Sequence, residues 1–329
     1  MKGVAIAAVV VLHILSSLPG VIFHQVPQNY WYILLDQFGR FCVPVFIGVS
    51  GYALTRRYAS KLEIGQFYSR RIVKLIPLYL LWSFGLWGLF LLIPAWYSTA
   101  DQLPLWQILF LGSGDYHLYF VPLIFQLYLL FPLLLWVLKR SALVVLVAAI
   151  AVQIIAFALY KTVTGTSTSF FATDQGQYIL FVSWLSYFVM GMWLGLRKER
   201  RGSLSWLTIF AGGVSLVTLM ISTSQAVQGI ATGVDPLHAL KFTRWVMIPY
   251  GLSWIVLSVG VPWEKLTNGW IKRAWLLIGE WSFIIFLAHT LLLRLVFARH
   301  YPGVTMGHLA LAVAVLVIGV ACSRFLEKR

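Results

Sequence analysis

Apolar residues along this chain gather into uninterrupted runs of about 17 to 22 positions, separated by short stretches of charged residues, Gly, Pro, Ser and Thr. Such runs match neither the alternation of a half-buried strand nor the 3.6-residue striping of a surface helix. They have the length of a membrane crossing, for which about 20 helical residues are needed. Ten spans are predicted, over 3–19, 38–54, 72–93, 118–138, 142–159, 178–196, 204–221, 242–259, 275–296 and 308–325. The first run has the size of a secretory signal, but it carries His13 and no small-residue cleavage pattern follows it, so it reads as a retained helix. The expected fold class is an all-α integral membrane protein of about ten transmembrane helices, forming a single transmembrane domain over 1–329.

Composition agrees with this reading. The chain is 60% hydrophobic and 11% charged, against roughly half and a quarter in soluble domains. A net charge of +15 would suggest a nucleic-acid partner if it formed one stripe. The basic residues lie instead in short loops between apolar runs, which points to membrane lipids as surroundings and to no nucleic acid. Ten spans put both termini on one side, and of the 25 basic residues only Arg40, Lys161, Lys241, Arg244, Arg294 and Arg299 fall on the other. The positive-inside rule then places both termini in the cytoplasm of a multi-pass protein in the inner (plasma) membrane. The aspartates, Asp36, Asp101, Asp115, Asp174 and Asp235, all fall on the outer side. Cys42 and Cys322 sit inside apolar runs and form neither a disulfide framework nor a metal motif, so no metal is expected. No repeat of 20 to 50 residues is present, which removes solenoids and arrays.

Ionisable groups within spans are costly and therefore functional candidates. His13 lies in the outward half of the first span, where a neutral imidazole suits a general base, or where Ser16 or Ser17 simply satisfies it. His289 in the ninth span faces the same alternatives. His117, at the start of the fourth, reads as an interfacial histidine beside Tyr116 and Tyr119. Arg70, Arg71 and Lys74 open the third span, with Lys74 three and four residues from the arginines on one helix face. They are explained either by topology or by a phosphate site, since guanidinium forks hold phosphate oxygens well. Ser50, Gly51 and Tyr52 end the second span, where glycine allows close approach by a helix or a ligand arm. Arg40, Arg244 and Arg294 at outer helix ends read as snorkelling side chains.

These segments, taken in order, resemble the acyltransferase-3 family of multi-span membrane acyltransferases. Lys2 and His13 in MKGVAIAAVVVLH reproduce a basic residue and a histidine with ten residues between them. VPVFIGVSGY at 43–52 resembles the end of the family's second helix, and FYSRRIVKLIPLY at 67–79 its arginine-rich helix start, with Arg71 and Lys74 as the paired basic residues and lysine in place of the usual second arginine. HLYFVPL at His117 and GEWSFIIFLAH at 279–289 resemble two further segments, and no esterase-like domain follows the last span, as in a stand-alone membrane form.

The resemblance implies an O-acyltransferase that takes acetyl from cytoplasmic acetyl-CoA to a hydroxyl of an extracytoplasmic or lipid-linked glycan of the cell envelope. It implies that Lys2, Arg70, Arg71 and Lys74 hold donor phosphates, with Ser50, Gly51 and Tyr52 beside the donor's arm. His13 would act on the acceptor as general base or acyl carrier, with His117 and His289 orienting it and Asp36 assisting from the outer side. Lys2 lies roughly 16 Å along the helix from His13, at 1.5 Å per residue, and so suits the donor rather than the imidazole. The competing expectation is a polytopic transporter or flippase that exports a surface glycan or its precursor.

Overall fold

The computed structural model describes residues 1–17, 30–96, 104–163, 173–197, 205–266, 269–298 and 303–328, which are helical without a strand. Helices of ten or more residues are α1 (Lys2–Ser17), α2 (Tyr30–Gly39), α3 (Cys42–Tyr58), α4 (Ile64–Leu92), α5 (Phe120–Leu138) and α6 (Ala142–Val163), followed by α7 (Leu185–Leu196), α8 (Trp206–Ala231), α9 (Met247–Gly260), α10 (Gly269–Glu280), α11 (Ser282–Val296) and α12 (Met306–Lys328). Six stretches of described helix are long and apolar enough to cross a membrane, or seven if α10 and α11 count as one broken span. This is a multi-pass membrane protein.

Several boundaries differ from the hydropathy reading, for physical reasons. The span expected at 72–93 begins at Ile64, just after Glu63 in extended backbone, because the polar turn before the apolar run continues the same helix, which extends 29 residues. The span expected at 178–196 is helical from Leu185, after a 3₁₀ turn at Phe181–Ser183. The one expected at 275–296 is divided at Trp281, whose φ of −86° and ψ of 4° leave the α region just after Gly279 and Glu280 interrupt the apolar run.

The chain forms two compact units, one of Met1–Lys61, Leu130–Thr168 and Phe181–Glu280, the other of Leu62–Leu129, Ser169–Leu180 and Trp281–Arg329. In the first unit α3 and α7 meet backbone to backbone. A Cβ on Gly191 would lie 1.8 Å from the Gly48 carbonyl oxygen, and one on Gly51 would lie 2.4 Å from that of Phe188. Dispersion and small residues drive helix association in lipid, where hydrophobic burial gives no net drive. α9 closes over the pair: Tyr187 donates to the Met247 carbonyl at 3.0 Å and Trp254 stacks on Phe41 with ring centroids 4.2 Å apart. Pro44 of α3 stands in the first helical turn, where its missing N–H leaves nothing unpaired.

The second unit is built on α4, whose buried Leu78, Tyr79, Trp82 and Leu86 pack with Leu287 and Leu291 of α11 and Ala312 of α12. Trp82 Nε1 donates to Ser323 Oγ at 2.9 Å, and Tyr79 donates its hydroxyl to the carbonyls of Ile108 and Leu109, each at 2.9 Å. Those bonds seat the short helix Leu105–Leu111 that precedes the histidine-bearing turn.

Candidate functional site

The turn at 112–119 is shaped by Gly112. Its φ of +67° ends the helix Leu105–Leu111 in the left-handed region, and the N–H groups of Gly112 and Ser113 both reach back to the Gln107 carbonyl, the latter at 3.4 Å. A Cβ there would lie 2.6 Å from the backbone of Leu118 and Tyr119, so the doubling back needs glycine on steric grounds as well. Beyond Gly112 the backbone runs through successive tight turns, with Leu118 N donating to the Asp115 carbonyl at 3.0 Å and Phe120 N to that of His117 at 3.2 Å. Asp115 and His117 are thereby turned inward, at 5% and 2% exposure. His117 is therefore a buried side chain rather than an interfacial one.

Asp115 is held by Arg294, 179 residues away in the last turn of α11. Nη1 donates to Oδ2 at 2.7 Å and Nη2 to Oδ1 at 3.0 Å, in a two-pronged pairing, and the Tyr116 N–H adds a bond to Oδ1 at 2.8 Å. The guanidinium lies over the rings of Phe90 and Tyr116, with centroids at 4.6 and 5.8 Å. Arg294 is engaged here and does not snorkel.

His117 Nδ1 stands 3.5 Å from Asp115 Oδ2, at ion-pair distance but without hydrogen-bond geometry, so both ring nitrogens are buried without a hydrogen-bond partner. Its ring meets His289 edge-on at 5.0 Å and Phe286 at 5.1 Å. His289 Nδ1 lies 2.7 Å from the Phe286 carbonyl and 3.1 Å from that of Ile285, which assigns the proton to Nδ1 and the lone pair to Nε2.

Burial alone would raise the Asp115 carboxyl, but the Arg294 guanidinium and then His117 outweigh it and hold the group well below the usual carboxylate range. A carboxyl lowered by folding contributes stability that is complete above its ordinary value and lost as the pH falls through and below it. Detergent-solubilised protein is therefore expected to lose thermal stability below about pH 4. In the Asp115→Asn/Arg294→Gln double variant that loss should be smaller, and an equal loss in both would detach acid sensitivity from this pair.

The other predicted residues divide between the units. In the second, Arg70 and Lys74 are exposed, and Arg71 is half-buried with its guanidinium against the rings of Phe67 at 5.6 Å and Tyr128 at 5.5 Å. Arg71 Nε is buried without a hydrogen-bond partner. In the first unit, Lys2 is exposed and packs beside Gly279 of α10, the helix that also carries Lys272 and Arg273. Ser50 and Tyr52 are half-buried. The close approach that Gly51 permits is made by the Phe188 carbonyl of α7, so helix packing accounts for that glycine.

His13 is half-buried on α1. Leu12 packs against Gly39, which brings this turn of α1 beside the end of α2. There Asp36 accepts from Arg40 at 2.8 and 3.0 Å and from Gln37 Nε2 at 2.8 Å. Gln37 Oε1 in turn accepts from Ser222 Oγ at 2.5 Å and from Arg244. Arg244 also donates to the Lys241 and Ser222 carbonyls at 3.1 and 3.0 Å and to Ser222 Oγ at 2.6 Å. This side chain ties α2, α8 and the segment before α9 together through neutral acceptors, a structural clamp in place of the expected snorkel.

Asp115 and Arg294 were not legible as site residues. The one signal in the sequence was that both lie on the outer side of the charge map, since nothing in their spacing links them. Among the described residues no three of His, Cys, Asp and Glu are grouped to hold a metal ion.

A family model described as an acyltransferase domain matches residues 1–325. Neither a curated protein nor a solved structure matches the chain.

Proposed function

This chain belongs to the acyltransferase family, and from that premise we propose that it is a membrane-bound O-acyltransferase. It moves acetyl from cytoplasmic acetyl-CoA to a hydroxyl of an extracytoplasmic or lipid-linked glycan of the cell envelope. The shorter apolar helices Lys2–Leu15, Leu185–Leu196 and Met247–Gly260 complete ten spans of one transmembrane domain, with both termini in the cytoplasm and the inner membrane as its location.

The observation that carries this reading is Arg71. A guanidinium lodged between two aromatic rings, with a buried Nε that no protein group satisfies, is set up to receive an anion. Its place at the basic start of α4, one residue from Arg70 and three from Lys74, makes the phosphates of a coenzyme A thioester the fitting occupant. The family resemblance assigns Lys2, Ser50 and Tyr52 to the donor as well. By the same resemblance His13 acts on the acceptor, either by taking the hydroxyl proton or by carrying the acyl group, and His117 and His289 are second-rank candidates.

The test is transfer of label from radiolabelled acetyl-CoA to cell-envelope glycans in membranes at matched expression. Wild-type membranes should label above empty ones. Arg71→Ala should raise the donor KM about ten- to a hundredfold, the worth of one or two charge-assisted hydrogen bonds. Labelling no higher than in empty membranes would remove the reading.

A further inference from the structure

α10 carries its apolar residues on the outside of the first unit. None of its twelve residues is buried, and Trp270, Ile271 and Leu277 are 78%, 42% and 55% exposed. Helical spacing gathers these three with Ala274 and Ile278 into a sector of about 120°. Around the helix from that sector, Arg273 stands on one border and, past Trp275, Lys272 on the other. Glu280 lies on the remaining side, where Leu276 is the one large apolar residue.

A helix on the surface of a globular domain turns such an apolar stripe toward the core. In α10 the seam against the protein is a different one. A Cβ on Gly3 of α1 would lie 2.4 Å from the Trp275 carbonyl oxygen, and one on Gly279 would lie 3.2 Å from Gly3 N and 3.6 Å from Lys2 Cβ. The backbone at Trp275 and Gly279 thus seats the start of α1 and leaves the apolar sector facing outward. Twelve residues make about 18 Å of helix, against about 30 Å of hydrocarbon, so α10 is too short to cross a membrane by itself.

We propose that α10 lies along the membrane surface as an interfacial helix, with Trp270, Ile271 and Leu277 in the acyl-chain boundary and Lys272 and Arg273 on the phosphates of anionic phospholipid headgroups. An apolar sector bordered by cations on both sides is the arrangement that holds a helix in that plane. Tryptophan favours the headgroup level, and the Arg273 guanidinium matches phosphate oxygens in pairs. The surrounding charge has the same sign. Lys265, four residues before the helix, is exposed, and Lys2 is exposed beside Gly279, while Glu280 stands about two turns beyond Arg273. A second copy of the chain on this face would set basic border against basic border, so the charges favour an anionic lipid surface over self-association. Because α10 seats Gly3, lipid bound to it braces the start of α1. Binding needs no acyl donor, so the inference stands or falls apart from the acyltransferase reading.

Two measurements on the full chain test it. In nanodiscs of phosphatidylcholine and phosphatidylglycerol, an environment-sensitive fluorophore on Ile271→Cys should be quenched several-fold more by spin labels on the lipid acyl chains than one on Glu280→Cys. The chain without an added cysteine is the blank. In neutral detergent micelles, phosphatidylglycerol should raise the thermal stability of the wild type. The midpoint of that titration should rise about fivefold in Lys272→Gln and again in Lys272→Gln/Arg273→Gln, the worth of one charge at an anionic surface in each case. Arg56→Gln/Arg57→Gln, which removes two exposed charges from the end of α3, should leave the midpoint where it is. Equal quenching at the two labelled sites would overturn the proposal, as would a wild type indifferent to phosphatidylglycerol or an equal shift in the α3 variant. A label on Ile271→Cys shielded from lipid, in a protein that elutes as a dimer, would give the face to a second copy instead.

Discussion

His13→Ala is expected to abolish acetyl transfer while leaving a folded protein in the membrane. If His13 serves as a general base, the rate should fall about 10²- to 10⁴-fold, the usual contribution of a positioned proton acceptor. If it carries the acyl group, transfer should cease, because the route through a covalent intermediate closes with it. The fold should survive, since the imidazole is only half-buried and α1 is also packed at other positions. Leu12 against Gly39, and Gly3 with a Cβ position 2.4 Å from the Trp275 carbonyl, hold the two ends of the helix. The measurement is label transfer beside thermal stability in detergent, together with incubation of wild type and variant with radiolabelled acetyl-CoA and no glycan. Protein-bound label that His13→Ala lacks identifies the acyl carrier, and its absence from both identifies the base. Transfer at the wild-type rate by His13→Ala would exclude either role.

The membrane class of this chain was legible because hydropathy is a local property: each apolar run carries its own evidence. α5, α6 and α12 lie close to where the runs placed them, while α8 runs on to Ala231, past the end of the run expected at 204–221. Breaks within runs were less legible, as at Trp281, because a single bend changes direction without changing composition. Side-chain roles divided along the same line. Arg71 stood out as a candidate because its basic neighbours Arg70 and Lys74 lie within about one turn of helix. The pairing of Asp115 with Arg294 joins positions 179 residues apart, and the Arg244 bond to Gln37 spans 207, so neither has a local signature. Residues at outer helix ends invited the snorkelling explanation, which is the right default for a lone long cation. It fails here because Asp36, one turn away, supplies Arg40 with oxygens and tertiary structure supplies Arg244 and Arg294. Gly51 had two readings, close approach by a helix or by a ligand arm, and the Phe188 carbonyl of the neighbouring helix takes the space its missing Cβ leaves.

That helix packing carries the other large expected effect. Gly191→Ala should prevent stable assembly of the first unit and with it all activity. The added Cβ would lie 1.8 Å from the Gly48 carbonyl oxygen and 2.6 Å from its carbon, atoms of a backbone that cannot rotate aside. Ordinary overpacking against flexible side chains costs about 1–3 kcal/mol. Here relief requires α3 and α7 to separate, which would also part Gly51 from Phe188 and loosen Gly251 from Tyr187 and Pro44. In lipid, no hydrophobic drive holds the two helices together once their close packing is broken. Gly212→Ala on α8, where a Cβ meets nothing within 4 Å, is the matched control and should be neutral or slightly stabilising, since alanine favours the helix by about 1 kcal/mol. Size-exclusion profiles and thermal stability in detergent read both variants. If Gly191→Ala elutes, melts and transfers label like wild type, the two helices do not touch along this glycine face, and Gly51 returns to being open to the donor's arm.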